Sequence, residues 1–180
     1  FNIANSQLAS IGDSAFKDSA LLTMEIPAGV TVLADNCFSG CSLMESVAFA
    51  NTSTLHTIGK HAFDSLSLLT NIVIPATVTT IESYAFSESG LTSVTFEQGS
   101  QLLYLQSYAF KNTSLIEFNV PASVVSIGIQ VFSLSPLVKL NFKCGKPGLS
   151  LTGSSTDGTN VKNISLPLYA NYTNIQDTAP

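Results

Sequence analysis

The 180-residue chain carries 12 acidic residues against 7 lysines and no arginine, a formal net charge of −5, with 45% hydrophobic and only 11% charged residues. It therefore lacks both the clustered basic face that nucleic acid requires and the guanidinium fork that reads phosphate or carboxylate bidentately. No run of eighteen apolar residues is present to cross a membrane as a helix.

The chain opens at Phe1 with neither an initiator Met nor the charged-then-apolar pattern of a signal peptide. Phe1 matches Phe49 and Phe96, the last residues of internal strands, so this end reads as cut from a longer protein. From there a single pattern recurs. A pair ending in Phe, usually Ala-Phe, falls at Phe16, Phe38, Phe63, Phe86, Phe110 and Phe132, a period of about 23 residues. Ala15, Ala62, Ala85 and Ala109 precede their Phe; Cys37 and Val131 take that slot in the other two. The small residue suits a tight turn, and Phe fills the wedge between coils.

Between these pairs run short alternating segments of the form L-x-x-I-x-I, predicted as strands over 21–26, 44–49, 69–74, 91–96, 115–120, 137–142 and 161–166. The expectation is one continuous parallel sheet, in register, with Met24, Val47, Ile72, Val94, Phe118, Leu140 and Ile164 in a single inward column. Odd coils end in Ile-Pro or its equivalent, at Pro27, Pro75, Pro121 and Pro167; a residue without an N–H stops a ladder there. Even coils end in Phe and a longer polar loop, such as Phe49-Ala50-Asn51-Thr52-Ser53-Thr54-Leu55. The true repeat is thus a pair of coils, about 47 residues long. A lone coil buries too little to offset the ordering of its backbone, so the coils must stack.

From Lys143 to Asn160 the pattern fails, and Gly- and Ser-rich sequence replaces the apolar wall. The expected organisation is repeats over 1–142 and an irregular last coil and C-terminal cap over 143–180, within the same domain.

The copies Ile74-Pro75-Ala76-Thr77-Val78-Thr79-Thr80-Ile81-Glu82-Ser83-Tyr84-Ala85-Phe86 and Cys37-Phe38-Ser39-Gly40-Cys41-Ser42-Leu43 are similar to the BspA-like class of leucine-rich repeats, over roughly residues 1–142. The resemblance implies a leucine-rich-repeat solenoid of the α/β type: short parallel strands with turns and 3-10 segments, few or no regular helices, and one curved right-handed superhelix. Members of this class are typically surface or secreted proteins of mucosal bacteria and protozoan parasites. Those characterised act as adhesins for host matrix proteins such as fibronectin or fibrinogen, or engage host cells. The resemblance therefore implies protein binding at the cell surface or outside it, rather than catalysis. The alternative is a structural spacer within a larger surface protein, with no binding of its own.

For sites, the outward positions of the strand template give a candidate protein-binding face: Thr23 and Glu25, Ser46 and Ala48, Asn71 and Val73, Ser93 and Thr95, Glu117 and Asn119, Lys139 and Asn141. The row is small and polar, without the Tyr, Trp or Arg of typical hot spots. His56 and His61, with Asp64 as the only nearby acid, fall short of the three or four converging ligands of a metal site. No nucleophile elbow, phosphate loop or carboxylate pair appears, so no catalytic residue, cofactor or metal is assigned. Cys37 reads as a packing residue, with a strained bond to Cys41 as the alternative. Four coil spacings of about 4.8 Å separate Cys41 from Cys144, beyond the reach of about 7 Å for a disulfide. Sequons for N-glycosylation stand at Asn51, Asn112, Asn163 and Asn171.

Overall fold

The computed structural model describes residues 8–143, 150–151 and 163–165. The chain winds as a parallel β-solenoid, and no helix of any kind occurs among the described residues. Each coil carries two strands. A two-residue strand lies at β1 (Ser10–Ile11), β3 (Val32–Leu33), β5 (Thr57–Ile58), β7 (Thr80–Ile81), β9 (Tyr104–Leu105), β11 (Ser126–Ile127) and β13 (Ser150–Leu151). A longer strand lies at β2 (Thr23–Ile26), β4 (Ser46–Phe49), β6 (Asn71–Ile74), β8 (Ser93–Phe96), β10 (Glu117–Val120), β12 (Lys139–Phe142) and β14 (Asn163–Ser165).

The single sheet expected from the longer strands does not form. They associate as β2-β4, as β6-β8 and as β10-β12-β14, so Val47 and Ile72 belong to different sheets, as do Val94 and Phe118. Within a pair the ladder is closed at its end by the residue after the even strand: Ala50 N donates to Ile26 O, Glu97 N to Ile74 O and Lys143 N to Val120 O, at 3.0 to 3.2 Å. At the next junction the corresponding donors would be Pro75 and Pro121. Neither has an N–H, so that closing bond is missing there; the missing bond alone does not decide the parting, since β14 pairs with β12 although Pro167 follows it in sequence. Register within each pair is as the template requires, with Met24 opposite Val47, Ile72 opposite Val94, and Phe118 opposite Leu140 opposite Ile164.

The uninterrupted sheet is the other one, β1-β3-β5-β7-β9-β11-β13. It places Ile11, Leu33, Ile58, Ile81, Leu105, Ile127 and Leu151 in register. Beyond Lys143, β13 pairs with β11, and β14 appears where the last strand was expected.

The turns behind these sheets are not 3-10 segments. Bonds of the i to i−3 kind, such as Lys17 N to Ser14 O and Ser19 N to Phe16 O, alternate with bonds to the following coil. The alternation puts two residues of each coil at positive φ, as in Tyr84 (φ 60) and Glu88 (φ 56); only beside Phe38 is one of the two a glycine, Gly40. Each of the non-glycine residues costs about 1–2 kcal/mol. What offsets it is that its N–H, and that of the Phe between, points along the spiral axis: Tyr84, Phe86 and Glu88 donate to Ser107, Ala109 and Lys111 of the next coil.

Inside these turns the Phe rings stack in one column. Phe16, Phe38, Phe63, Phe86, Phe110 and Phe132 have successive centroids 5.3, 5.5, 5.2, 5.1 and 6.0 Å apart and planes within 13° of parallel. Phe38 through Phe132 are fully buried. Cys37 is a free thiol within this core, and burial pushes its pKa up to about 12. Cys41 is likewise free; its Sγ donates to Phe16 O of the coil before it at 2.9 Å, as the Ser135 hydroxyl does to Phe110 O. Cys144 and Asn171 lie outside the described residues.

Candidate functional site

Alternation along each longer strand decides which side chains face solvent. Met24, Ile26, Ile72, Ile74, Phe118 and Val120 point into the core, and the residues between them point out. Eleven of the twelve residues of the outward row are exposed and Asn141 is half-buried. Register brings them together as three patches of four: Thr23 and Glu25 beside Ser46 and Ala48, Asn71 and Val73 beside Ser93 and Thr95, and Glu117 and Asn119 beside Lys139 and Asn141. The strand ladder is interrupted between the patches, which belong to three separate sheets.

The third patch is internally cross-linked. Glu117 Oε1 accepts from Lys139 Nζ at 3.2 Å and from Asn141 Nδ2, which also donates to Asn119 Oδ1 at 3.0 Å. Glu117, Lys139 and Asn119 are exposed and Asn141 half-buried, so the network contributes little to stability.

Between the second and third patches the parted junction opens into a groove of about 590 Å³. Its walls are the loop after β8, Glu97 to Ser100, and the corner after β10, Pro121 to Ser123, with Thr95 and Asn119 at the front and Lys143 from the next coil. The half-buried Phe96 is among its lining residues, edge-on to Phe118 with centroids 5.8 Å apart. The Glu97 carboxylate is engaged, accepting from Ala76 N at 2.9 Å. Gly99 adopts φ 81 on the rim, a conformation that favours glycine. At the equivalent junction between the second and third coils, Thr77 Oγ1 reaches across to Ser53 O at 3.3 Å. Ser123, the counterpart of Thr77, makes no such bridge. Its buried hydroxyl has no hydrogen-bond partner.

A further feature went unread in the sequence. His61, Tyr84 and Tyr108, each two residues before a column Phe, stack on the half-buried edge of the turns with centroids 4.9 and 4.8 Å apart. Lys111 Nζ stands 6.0 Å from the Tyr108 centroid, and His61 Nδ1 is 3.7 Å from Asp64 Oδ2. His61 is thus a member of a ring stack rather than a freely solvated loop residue. The signal was available, since the three rings share one repeat position. His56 is exposed, and no group of three or more His, Cys, Asp or Glu suited to a metal occurs among the described residues. Asn51 and Asn112 are exposed in turns, and Asn163 lies on β14.

No protein of curated function matches the chain. Among solved structures, the pneumococcal vaccine antigen PcpA is 30% identical with a TM-score of 0.64, over 68% of this chain and 30% of that one. A leucine-rich repeat protein of Eubacterium ventriosum (19% identity, TM-score 0.55) and a leucine rich cell surface protein of Faecalibacterium prausnitzii (24%, TM-score 0.50) match over 79% and 86% of this chain and 37% and 44% of theirs, and share the fold. The chain therefore spans less than half the length of each of these structures. The model of the BspA type leucine rich repeat region matches residues 1–72 and 56–179, in six copies. With strands, register and Phe column repeating at the same period, the chain belongs to the BspA-type leucine-rich-repeat family.

Proposed function

We propose that this chain is an adhesin-type, protein-binding segment of a cell-surface or secreted protein, directed at host matrix proteins or host cells. Membership of the BspA-type family and the likeness to a pneumococcal vaccine antigen support the coarser statement, a surface protein-interaction repeat module. The observation that carries the finer one is the solvent-facing row of small polar side chains, held in register within each of the three sheets, without a catalytic constellation beside it. In this reading residues 143–180 end the same domain, and the sequons carry glycans only where a secretory route supplies them.

Lacking Arg and large aromatic anchors in the row, one copy should bind at about micromolar affinity or weaker and depend on multivalent display. The test is Thr95→Arg with Asn119→Arg, which places two bulky charges beside the groove without touching the core. With the chain displayed on beads, the double variant should lose adhesion to fibronectin, fibrinogen or epithelial cells while keeping its circular dichroism. Adhesion equal to the parent would remove the row as the contact. A spacer is the second reading, favoured by the unbroken seven-stranded sheet and Phe column; failure of the parent itself to adhere to any of these would select it.

A further inference from the structure

We infer that two copies of this chain associate side by side and antiparallel, about a twofold axis that crosses the fourth coil, a contact that goes beyond the protein-binding reading and needs no host partner. The surface is the corner of the spiral that leads into the longer strands. In the fourth coil this corner is small and polar, with Thr92, whose N–H donates to Thr70 O of the third coil. One coil to either side stand Leu68 and Ile116, 46% and 59% exposed. Two coils to either side stand Leu43, 47% exposed, and the half-buried Val138. The apolar pattern therefore reads alike toward both ends. An isologous contact asks for this, since a residue before the axis meets one equally far beyond it on the second copy. Leu68 then lies beside the second copy's Ile116, and Leu43 beside its Val138. An unrelated protein would require no such symmetry about the fourth coil.

Charge selects the antiparallel sense. The exposed Glu45 stands at one end of the strip, in the second coil, and the exposed Lys139 at the other, in the sixth. Each copy thus offers an acid where the turned copy offers a lysine. Lys139 is held in its own chain only by the exposed Glu117, at 3.2 Å, a weak pair that a partner can replace. The whole chain repeats the asymmetry: nine acids against two lysines up to Glu97, then three lysines against Glu117 from Lys111 to Lys143. Antiparallel packing sets the basic end of each copy on the acidic end of the other, whereas parallel packing lays acid on acid. Five coils at about 4.8 Å make a strip only about 20 Å long, so the dimer belongs to the weak class of interfaces.

Sedimentation equilibrium of the chain, from low to near-millimolar concentration, should show a monomer–dimer equilibrium that weakens as salt is raised. Ile116→Lys should weaken the dimer at least about tenfold. Tyr104→Lys, an exposed change of the same charge in the same coil but on the short-strand side, should weaken it far less. Glu45→Lys should weaken it and the added Lys139→Glu should restore it, a readout that stands if Ile116→Lys fails to fold. In a Cys144→Ser background with a copper–phenanthroline oxidant, Thr92→Cys should link to its own copy. Leu43→Cys should not, because antiparallel packing sets the two about 19 Å apart, beyond the reach of about 7 Å for a disulfide. A chain monomeric throughout, equal effects of Ile116→Lys and Tyr104→Lys, or linkage of Leu43→Cys as readily as Thr92→Cys overturns the inference. So does a monomeric chain whose adhesion falls with Ile116→Lys, which gives the corner to another protein. Dimerisation is read without any host protein, so its failure leaves the adhesin reading to its own test.

Discussion

Phe86 sits fully buried between Phe63 and Phe110, 5.2 and 5.1 Å from their centroids. Truncation to Ala empties space shared by two neighbouring coils, and the cost should be about 3–5 kcal/mol. Thr95→Ala, on the solvent side, should change stability by no more than about 0.5 kcal/mol; urea midpoints of the two variants check the assignment of faces. Cys37 offers a test by pH. Burial raises its pKa from 9.0 to about 12, so the folded state keeps the thiol proton after the unfolded chain has released it. Stability tied to this group is present below pH 9 and is lost as pH climbs from about 9 toward 12. Cys37→Ala, which installs the residue four other coils use, should flatten that alkaline loss in melts recorded across the window.

At the scale of the strand, the longer strands were legible because alternation of apolar and polar residues marks the inward and outward faces directly. The outward row could be named from Thr23 to Asn141 for the same reason. Which strands pair was not legible from the apolar pattern, since that pattern is nearly the same in odd and even coils. The prolines do not supply it either: Pro75 and Pro121 deny a donor to the strand behind, but β14 pairs with β12 although Pro167 holds the same place in the sequence. The short strands escaped because two residues are too few for any periodicity. The groove escaped because it depends on Thr77 bridging a junction that Ser123 leaves open. These pairings set an expectation for hydrogen exchange. Outward residues of even strands bond back to their odd partners, as Ser93 N does to Thr70 O at 3.3 Å. By the same geometry, outward residues of odd strands face the parted junctions. The amides of Val73 and Asn119 should exchange faster than those of Thr95 and Asn141, and equal protection would mean that the junctions are closed in solution.

For the whole molecule, the pair of coils is the unit of assembly, and stability is a sum over neighbours. Deleting residues 72–117 removes one even and one odd strand step and rejoins the chain in phase. Deleting 72–93 removes one coil and sets the Phe-ended loop after β4 against that after β8. The longer deletion should still unfold in a single transition with urea, and the shorter one should melt at lower denaturant despite keeping more of the chain. The opposite order would make the single coil the unit.

The contrast between the two sides of the spiral also has a mechanical meaning. Along the turns and the short strands, every junction among the described coils is tied by backbone hydrogen bonds, whereas the longer strands are tied only within β2-β4, β6-β8 and β10-β12-β14. A pull along the axis is therefore borne unequally. The tied side acts as an inextensible spine, and the side carrying the outward row yields at the Pro75 and Pro121 junctions. Under shear the rod should bend away from that face and spread its patches apart, which makes the spacing of its contact points a function of load.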